Sequence, residues 1–138
     1  MKNINLNSDI GEGFGVYDIG NDTEMLKIVN SANIACGFHA GDPNVMDRVV
    51  KQSIKNGVSI GAQHGFNDLW GFGRRQIHMS TDEIEASVAY QIGALQAISA
   101  TNNAIVTHVK PHGALNNMSS LDPAVATCLL YTSPSPRD

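Results

Sequence analysis

The residues best suited to chemistry in this chain are imidazoles, carboxylates and cations that directly follow short apolar segments. The clearest case is segment 33–42, where an apolar run ends in a glycine-rich turn that carries His39 and Asp42. His39 stands between glycines and outside any apolar stripe, so we interpret it as a site residue rather than a core histidine. Asp42 precedes Pro43 at the start of a helical pattern, and a helix cap is its simplest role.

Residues of the same kinds recur where the other predicted strands end. Asp9 lies at the end of the first strand, and Lys110 and His112 follow the fourth. The segment after the third strand adds Gln63, His64, Asp68, Arg74 and Arg75. Because parallel strands end at one edge of a sheet, we expect these side chains to surround a single cleft.

Such a set is compatible with two kinds of chemistry. Asp9, His39 and His112 could hold a divalent metal ion that leaves one position open to water. Without a metal, an aspartate or histidine could act as general base while Lys110 or an arginine stabilises an oxyanion. The spacing decides neither, because the chain has no HExxH motif and no paired CxxC motif. Any single histidine could also be structural, and only their convergence favours a site.

The hydrophobic pattern alternates between strands and helices. Strands are predicted at 4–10, from about 29 or 32 to 36, at 58–62 and at 104–109. Helices are predicted at 22–28, 43–55 and 80–100, with one more opening at Asp122-Pro123. The third helix begins with a capping box formed by Ser80 and Glu83. This β–α–β–α order with short connections calls for parallel strands and right-handed crossovers, so the fold class is α/β.

The first strand alternates strictly between apolar and polar residues. Ile4, Leu6 and Ile10 share one face, and Asn5, Asn7 and Asp9 share the other. In a parallel barrel the apolar face would meet the helices, and the polar face would line the interior near the mouth. A solvated edge strand would explain the same pattern.

The extent of the pattern predicts a partial barrel. We count about four βα units, whereas a closed (β/α) barrel has about eight strands and typically about 250 residues. Residues 131–138 contain two Ser-Pro pairs and are not expected to continue a helix or strand. We therefore assign 1–127 to the barrel and 128–138 to a tail that we expect to be non-native or disordered.

Composition excludes several classes of function. The 138 residues, 42% hydrophobic and 16% charged, suit one ordinary globular domain. A net charge of −4 gives no electrostatic case for binding nucleic acid. No apolar run approaches the roughly 18 residues of a membrane span, and no signal segment opens the chain, so we expect no membrane association. Two cysteines form no disulfide framework, which makes the cytoplasm the expected compartment.

Four blocks of the sequence resemble the LamB/YcsF family and occur in the family's order. They are residues 7–15, 33–42, 68–75 and 109–115. The resemblance implies a distorted, TIM-like (β/α) barrel of the glycoside hydrolase/deacetylase type. Members of the family are about twice as long as this chain, in keeping with the size of a whole barrel.

The activity that the resemblance implies is an ATP-dependent 5-oxoprolinase, which opens 5-oxo-L-proline to L-glutamate together with B and C subunits. ATP is the expected co-substrate, with magnesium, and a bound divalent metal is a further option. On this basis the catalytic candidates are Asp9, His39, Lys110 and His112. The residues expected to bind substrate or phosphate are Asn7, Glu12, Asp42, His64, Asp68, Arg74 and Arg75. The chain has no Walker motif, so the nucleotide would occupy a non-standard site or lie partly on a partner subunit.

Two positions depart from the family pattern. Gln63-His64 stands where many members have His-Pro, so an imidazole expected at position 63 is missing unless His64 replaces it. Asn116 stands where a tyrosine is common.

Two other functions stay open: a metal-dependent deacetylase or amidohydrolase acting on a sugar or small amide, and a non-catalytic assembly subunit. We expect the 138-residue chain alone to be inactive, because half a barrel exposes strand edges.

Overall fold

A computed structural model of the chain describes residues 4–133. Its four strands, β1 (Asn7–Ile10), β2 (Ser31–Ala35), β3 (Ser59–His64) and β4 (Val106–Pro111), form one parallel sheet in the order β1-β2-β3-β4. The helices are α1 (Asp22–Met25), α2 (Pro43–Asn56), α3 (Thr81–Thr101), α4 (Gly113–Leu121) and α5 (Pro123–Thr132). Sequential parallel strands joined through helices confirm the α/β class and the partial barrel.

The longer helices begin and end at the predicted residues. The Asp42 carboxylate accepts hydrogen bonds from the backbone N–H groups of Asn44 and Val45, at 2.8 and 3.0 Å, and so caps α2. Gly57 ends α2 with a φ of 66°, a left-handed conformation that favours glycine. Ser80 and Glu83 form the predicted capping box of α3.

The core lies between the sheet and the helices. β2 is buried at every position, as expected for an inner strand of a parallel sheet that is covered on both sides. Its Ile34 packs in one apolar cluster with Val45 and Val49 of α2 and with Ile84 and Leu95 of α3. Burial of these side chains is the main force that holds the βα units together.

β1 is shorter than the alternating pattern predicts. It begins at Asn7 rather than residue 4, and Ile4 and Leu6 are 81% and 49% exposed. Of the apolar face predicted for this strand, only Ile10 is buried. The backbone carbonyl of Leu6 accepts hydrogen bonds from Asn30 and Ser31, so this end of the edge strand meets the turn before β2 and leaves the sheet ladder.

Three other predicted boundaries are wrong. Gln63 and His64 belong to β3 rather than to a loop, and β4 continues to Pro111. α1 ends at Met25, three residues early. α4 is not predicted, because its Gly, Asn and Ser residues are weak helix formers. Burial of its Ala114 and Leu115 stabilises it instead.

The end of α5 corrects the prediction made for the tail. Tyr131 and Thr132 do continue a helix, and Leu129 of the same helix is buried in the core. The helix ends where Ser133 precedes Pro134, since a residue before proline disfavours helical geometry. Residues 134–138 lie outside the described residues, and the non-native origin of 128–138 stays a prediction. Within 4–133, no helix combines the length and the apolar character that crossing a membrane requires.

Candidate active site

A row of residues from all four strands crosses one face of the sheet. Asp9 is paired in register with Asn33, Asn33 with Gly61, and Gly61 with His108. Residues in register on neighbouring strands point to the same side of a sheet. Asn33 stands in the middle of this row and is buried.

The amide of Asn33 joins its neighbours in the row. Its Nδ2 donates to Asp9 Oδ1 at 2.9 Å, and its Oδ1 lies 3.1 Å from His108 Nε2. Asn33 also exchanges two hydrogen bonds with the amide of Asn7. A carboxylate can only accept, so Asp9 fixes the orientation of the Asn33 amide and leaves its oxygen facing His108. His108 Nε2 therefore carries the hydrogen in this contact.

Asp9 is also paired with Lys110, across the full width of the sheet. Lys110 Nζ lies 2.6 Å from Asp9 Oδ1 and 2.8 Å from Oδ2. In a flat sheet, strands β1 and β4 would be separated by three spacings of about 4.8 Å each, too far for these two side chains to meet. The sheet is therefore curved, and this polar face is its concave side, as in a barrel interior.

A second group combines Glu12, His39 and His112. The imidazoles of His39 and His112 are stacked, with ring centroids 3.9 Å apart and planes within 10°. Glu12 Oε1 lies 3.8 Å from His39 Nε2. His39 is completely buried, and neither of its ring nitrogens has a hydrogen-bond partner among residues 4–133. A buried polar group without a partner is costly to folding, and such groups are concentrated where function requires them.

The second imidazole is fixed by two hydrogen bonds. Gln63 Nε2 donates to His112 Nδ1 at 3.0 Å, and His112 Nε2 donates to the carbonyl oxygen of Phe72 at 2.8 Å. This pattern fits the neutral tautomer with the hydrogen on Nε2. Burial, together with the neighbouring His39, lowers the pKa of His112, which also favours the neutral ring.

Two glycines allow the chain to close over the stacked imidazoles. A Cβ atom at Gly65 would lie 3.0 Å from His39 Nδ1, and one at Gly73 would lie 2.7 Å from His39 Cβ. Gly73 also has a φ of 65°, which disfavours any side chain. The glycines of this loop therefore provide the space that the histidine pair occupies.

Glu12, His39 and His112 bring potential metal ligand atoms within 4.8 Å of one another. The ring geometry does not fit a shared ion, however. Imidazole lone pairs lie in the ring plane, and two parallel stacked rings cannot both point at an ion about 2.0–2.1 Å from each nitrogen. Both nitrogens of His112 are also engaged in hydrogen bonds, and Asp9, the predicted third ligand, is paired with the Lys110 ammonium instead.

In the long loop that follows β3, two of the predicted site residues, Asp68 and Arg75, contact each other. The Asp68 carboxylate forms an ion pair with Arg75 and accepts hydrogen bonds from the backbone N–H groups of Gly71 and Arg75, at 3.0 and 3.2 Å. The Arg75 guanidinium lowers the pKa of Asp68. Arg74 is exposed, and its guanidinium carbon lies 5.4 Å from the centre of the Phe72 ring. Asp68 and Arg75 hold the loop together, and Arg74 lies outside this ion pair, at the surface.

Asp42 and His64 also belong to the residues predicted to bind substrate or phosphate. Asp42 caps α2 through Oδ1, and its Oδ2 accepts a hydrogen bond of 2.7 Å from Gly15 N, which anchors the turn after β1. His64 is completely buried, and burial lowers its pKa from 6.5 to about 4. Side chains alternate along β3, so Gln63 rather than His64 lies beside His112. The substrate-binding roles assigned to Asn7, Glu12, Asp42, His64, Asp68, Arg74 and Arg75 stay predictions.

An open cleft of about 320 Å³ borders His39. Glu12 and His39 line it together with apolar side chains, Phe14, Tyr17, Ile19, Leu69, Trp70 and Phe72. Trp70, the single tryptophan, is 96% exposed. Apolar walls with a few polar groups are typical of sites for small molecules.

Sequence reasoning did not select Asn33, Gly61 and His108 as site residues. The available signal was an asparagine in the centre of an otherwise apolar strand, since a buried amide requires partners. For His108 the signal is its spacing from Lys110, since residues two apart on a strand share a face. The pairing register that joins the three residues cannot be read from the sequence.

Comparison with known proteins shows which family this chain resembles in sequence and in fold. The LamB/YcsF family model matches residues 4–133. The chain is 55% identical to the A subunit of 5-oxoprolinase from Natranaerobius thermophilus, over 98% of this chain and 54% of that protein. It is 54% identical to the A subunit from Brevibacillus brevis, over 91% of this chain and 50% of that protein. The crystal structure of a lactam utilization protein from Thermus thermophilus superposes with a TM-score of 0.93 at 42% identity, over 95% of this chain and 53% of that one. The chain thus spans about half the length of the curated relatives it matches. Over that length, in sequence and in fold, it belongs to the LamB/YcsF family.

Proposed function

We propose that this chain supplies the ring-opening centre of an ATP-dependent 5-oxoprolinase, which converts 5-oxo-L-proline to L-glutamate. The observation that carries the proposal is the state of His39, which is buried, unpartnered within the described part of the chain, and located beside Glu12 at an apolar cleft. The relatives named as the A subunit of 5-oxoprolinase and the lactam utilization protein support the choice of a cyclic amide as substrate.

The reaction requires activation of a resonance-stabilised amide. Transfer of the γ-phosphoryl group of ATP to the lactam oxygen forms an O–P bond and releases ADP. Water then adds to the ring carbon and loses a proton to a base, and the C–N bond breaks as the ring nitrogen takes up a proton. The γ-glutamyl phosphate that results is hydrolysed by a second water to L-glutamate and phosphate.

The described residues can share these tasks. His39 is the base that takes the proton from water, and Glu12 is placed to stabilise the imidazolium that forms. His112, fixed by Gln63 and Phe72, positions His39 by stacking. Lys110 and Arg74 are the cations available for the substrate carboxylate or the phosphoryl group.

ATP with magnesium is the proposed co-substrate, and the B and C subunits of 5-oxoprolinase are the proposed partners, in the cytoplasm. Of the two competing functions, a metal-dependent amidohydrolase is less well supported, because the parallel rings of His39 and His112 cannot direct lone pairs to one ion. An assembly subunit without catalytic residues would not explain why His39, which has no hydrogen-bond partner among residues 4–133, lies beside Glu12 at the wall of an apolar cleft.

Reconstitution with the B and C subunits tests the proposal. A chain of full family length and the 138-residue chain are each mixed with both partners, and ADP and L-glutamate are measured with and without 5-oxo-L-proline. We expect 5-oxoproline-dependent formation of both products from the full-length form and none from the 138-residue chain. The proposal would be refuted if the full-length complex showed no turnover. The amidohydrolase would be favoured if a chelator abolished turnover and if zinc, but not magnesium, restored it.

A further inference from the structure

We propose that His108 is a positioning residue for Asp9, that it acts through the amide of Asn33, and that Gly61 lacks a side chain so that the His108 ring can reach that amide. The relevance to catalysis rests on the proposed function, in which Lys110, the partner of Asp9, is a cation available for the substrate carboxylate or the phosphoryl group. The positioning itself is a property of the fold and can be tested separately.

The first support is steric. His108 lies on β4 and Asn33 on β2, so the imidazole must cross β3 to reach the amide. It crosses at Gly61, where a Cβ atom would overlap His108 Nε2, Cδ2 and Cε1. Gly61 has no positive φ that would require glycine, and space for the ring is therefore the reason for a glycine here.

The second support is a local irregularity in β4. Ile60 pairs with Val106 but Gly61 pairs with His108, so Thr107 is an extra residue in the ladder. Thr107 Oγ1 lies 3.0 Å from the Ile60 carbonyl oxygen and 2.9 Å from His108 Nδ1. Bulges of this kind redirect side chains near functional sites. Here the bulge turns His108 onto the concave face. With the His108 hydrogen on Nε2, Nδ1 is an acceptor, and the single hydroxyl hydrogen of Thr107 is shared between Nδ1 and the Ile60 carbonyl oxygen.

The third support is the direction of the hydrogen bonds. Asp9 requires a donor from Asn33, so the Asn33 oxygen must accept from His108 Nε2. Hydrogen bonds therefore run in one sense from His108 through Asn33 to Asp9, and aligned bonds strengthen one another. The chain of bonds ends at Asp9 Oδ1, the oxygen that also accepts from Lys110. His108 therefore holds the Asp9 carboxylate in the orientation that Lys110 uses.

Histidine ring nitrogens give the direct test. The 138-residue chain is labelled with 15N-histidine and long-range proton–nitrogen spectra are recorded at about pH 7. We expect His108 to be a neutral ring with its hydrogen on Nε2. A hydrogen on Nδ1 alone would overturn the proposal. In Gly61→Ala, which moves the ring without removing a polar group, the His108 signals should shift while those of His78, in an exposed loop, stay in place. Unchanged His108 signals in Gly61→Ala would also contradict the proposal.

The Asn33 side-chain amide reports whether the effect reaches Asp9. In His108→Leu its hydrogens should exchange with solvent at least about tenfold faster than in the natural chain. His108→Gln keeps an N–H donor and should restore slow exchange. In the full-length complex, His108→Leu should lower kcat about tenfold or more with little change in KM, and His108→Gln should recover most of that loss. His78→Leu is the control.

Slow Asn33 exchange in His108→Leu would overturn the positioning role. The positioning role would also be overturned if His108→Gln restored slow exchange of the Asn33 amide but had turnover as low as His108→Leu. That result would show that the imidazole itself is required. A complex without any turnover would refute the proposed function and leave the nitrogen and exchange measurements to decide the positioning role.

Discussion

Lys110 Nζ contacts both carboxylate oxygens of Asp9, at 2.6 and 2.8 Å, although the two residues lie on strands at opposite edges of the sheet. The contact exists because the four strands curve and bring their polar faces together. Asn33, Gly61 and His108 lie between the two edges in register. The polar row on the concave face is thus a product of curvature and register more than of any single motif.

Lys110→Met should affect activity far more than stability. The pair is partly exposed, and such ion pairs contribute about 0.2–1 kcal/mol to folding. Turnover by the full-length complex should fall on the order of 10²-fold, because the cation is lost from the concave face. Lys51→Met, which breaks the exposed pair with Asp47 on α2, is the matched control. Equal turnover in the two variants would contradict a role for Lys110.

His39→Leu should fold at least as well as the natural chain. The buried His39 imidazole has no hydrogen-bond partner within the described residues, so replacing it by an apolar side chain removes an uncompensated desolvation penalty. The free energy of unfolding should therefore stay constant or rise by about 1 kcal/mol. His112→Leu breaks the bonds to Gln63 and Phe72, and should lose about 1–3 kcal/mol. Urea titration measures both. A large loss in His39→Leu would mean that His39 is structural.

Stability should decrease as the pH falls from about 6.5 to about 4. Burial lowers the pKa of His64 to about 4 in the folded chain, so in this range the unfolded chain binds a proton that the folded chain does not. The contribution is about 3 kcal/mol over the whole range. The pKa values of His108 and His112 are also lowered by burial and act in the same direction.

His64→Gln removes the main contribution to that slope and should flatten the dependence of unfolding free energy on pH. His78→Gln removes an exposed imidazole and should leave the slope unchanged. The measurement is urea denaturation at a series of pH values. If both variants retained the natural slope, the buried neutral state of His64 would be wrong.

Asp68→Asn should loosen the loop that closes over the histidine pair. The carboxylate holds Arg75 and the backbone of Gly71, and an amide cannot replace all of these contacts. Hydrogen exchange at the Gly71 and Gly73 amides should become about tenfold faster or more. Arg74→Met, which changes the exposed neighbouring cation, should not have this effect. Unchanged exchange in Asp68→Asn would show that the loop is held by other contacts.

Local chemistry made much of the fold predictable. Asp42 and Pro43, the Ser80–Glu83 box and Gly57 define helix ends through hydrogen bonds and φ angles set by neighbouring residues, and the structure confirms them. α4 was missed because its stability comes from buried Ala114 and Leu115, which is a tertiary effect. The exposed Ile4 and Leu6 show that alternation predicts two faces of a strand without saying what covers them.

The site was predictable only in part for the same reason. The strand ends predicted that Asp9, His39, Lys110 and His112 surround a single cleft at one edge of the sheet. They could not predict that Asp9 is paired with Lys110 while Glu12 lies beside His39. The pairing of Asp9 with Lys110 depends on the curvature of the sheet and on pairing across its strands, which arise from contacts distant in sequence.

The most direct test of the proposed centre is 5-oxoproline-dependent release of L-glutamate by the full-length complex, with His39→Ala compared to His78→Ala. Removing a general base lowers turnover by about 10²–10⁴-fold, and we predict a loss of this size for His39→Ala and natural turnover for His78→Ala. Natural turnover in His39→Ala would contradict the assignment of the histidine pair as the ring-opening centre.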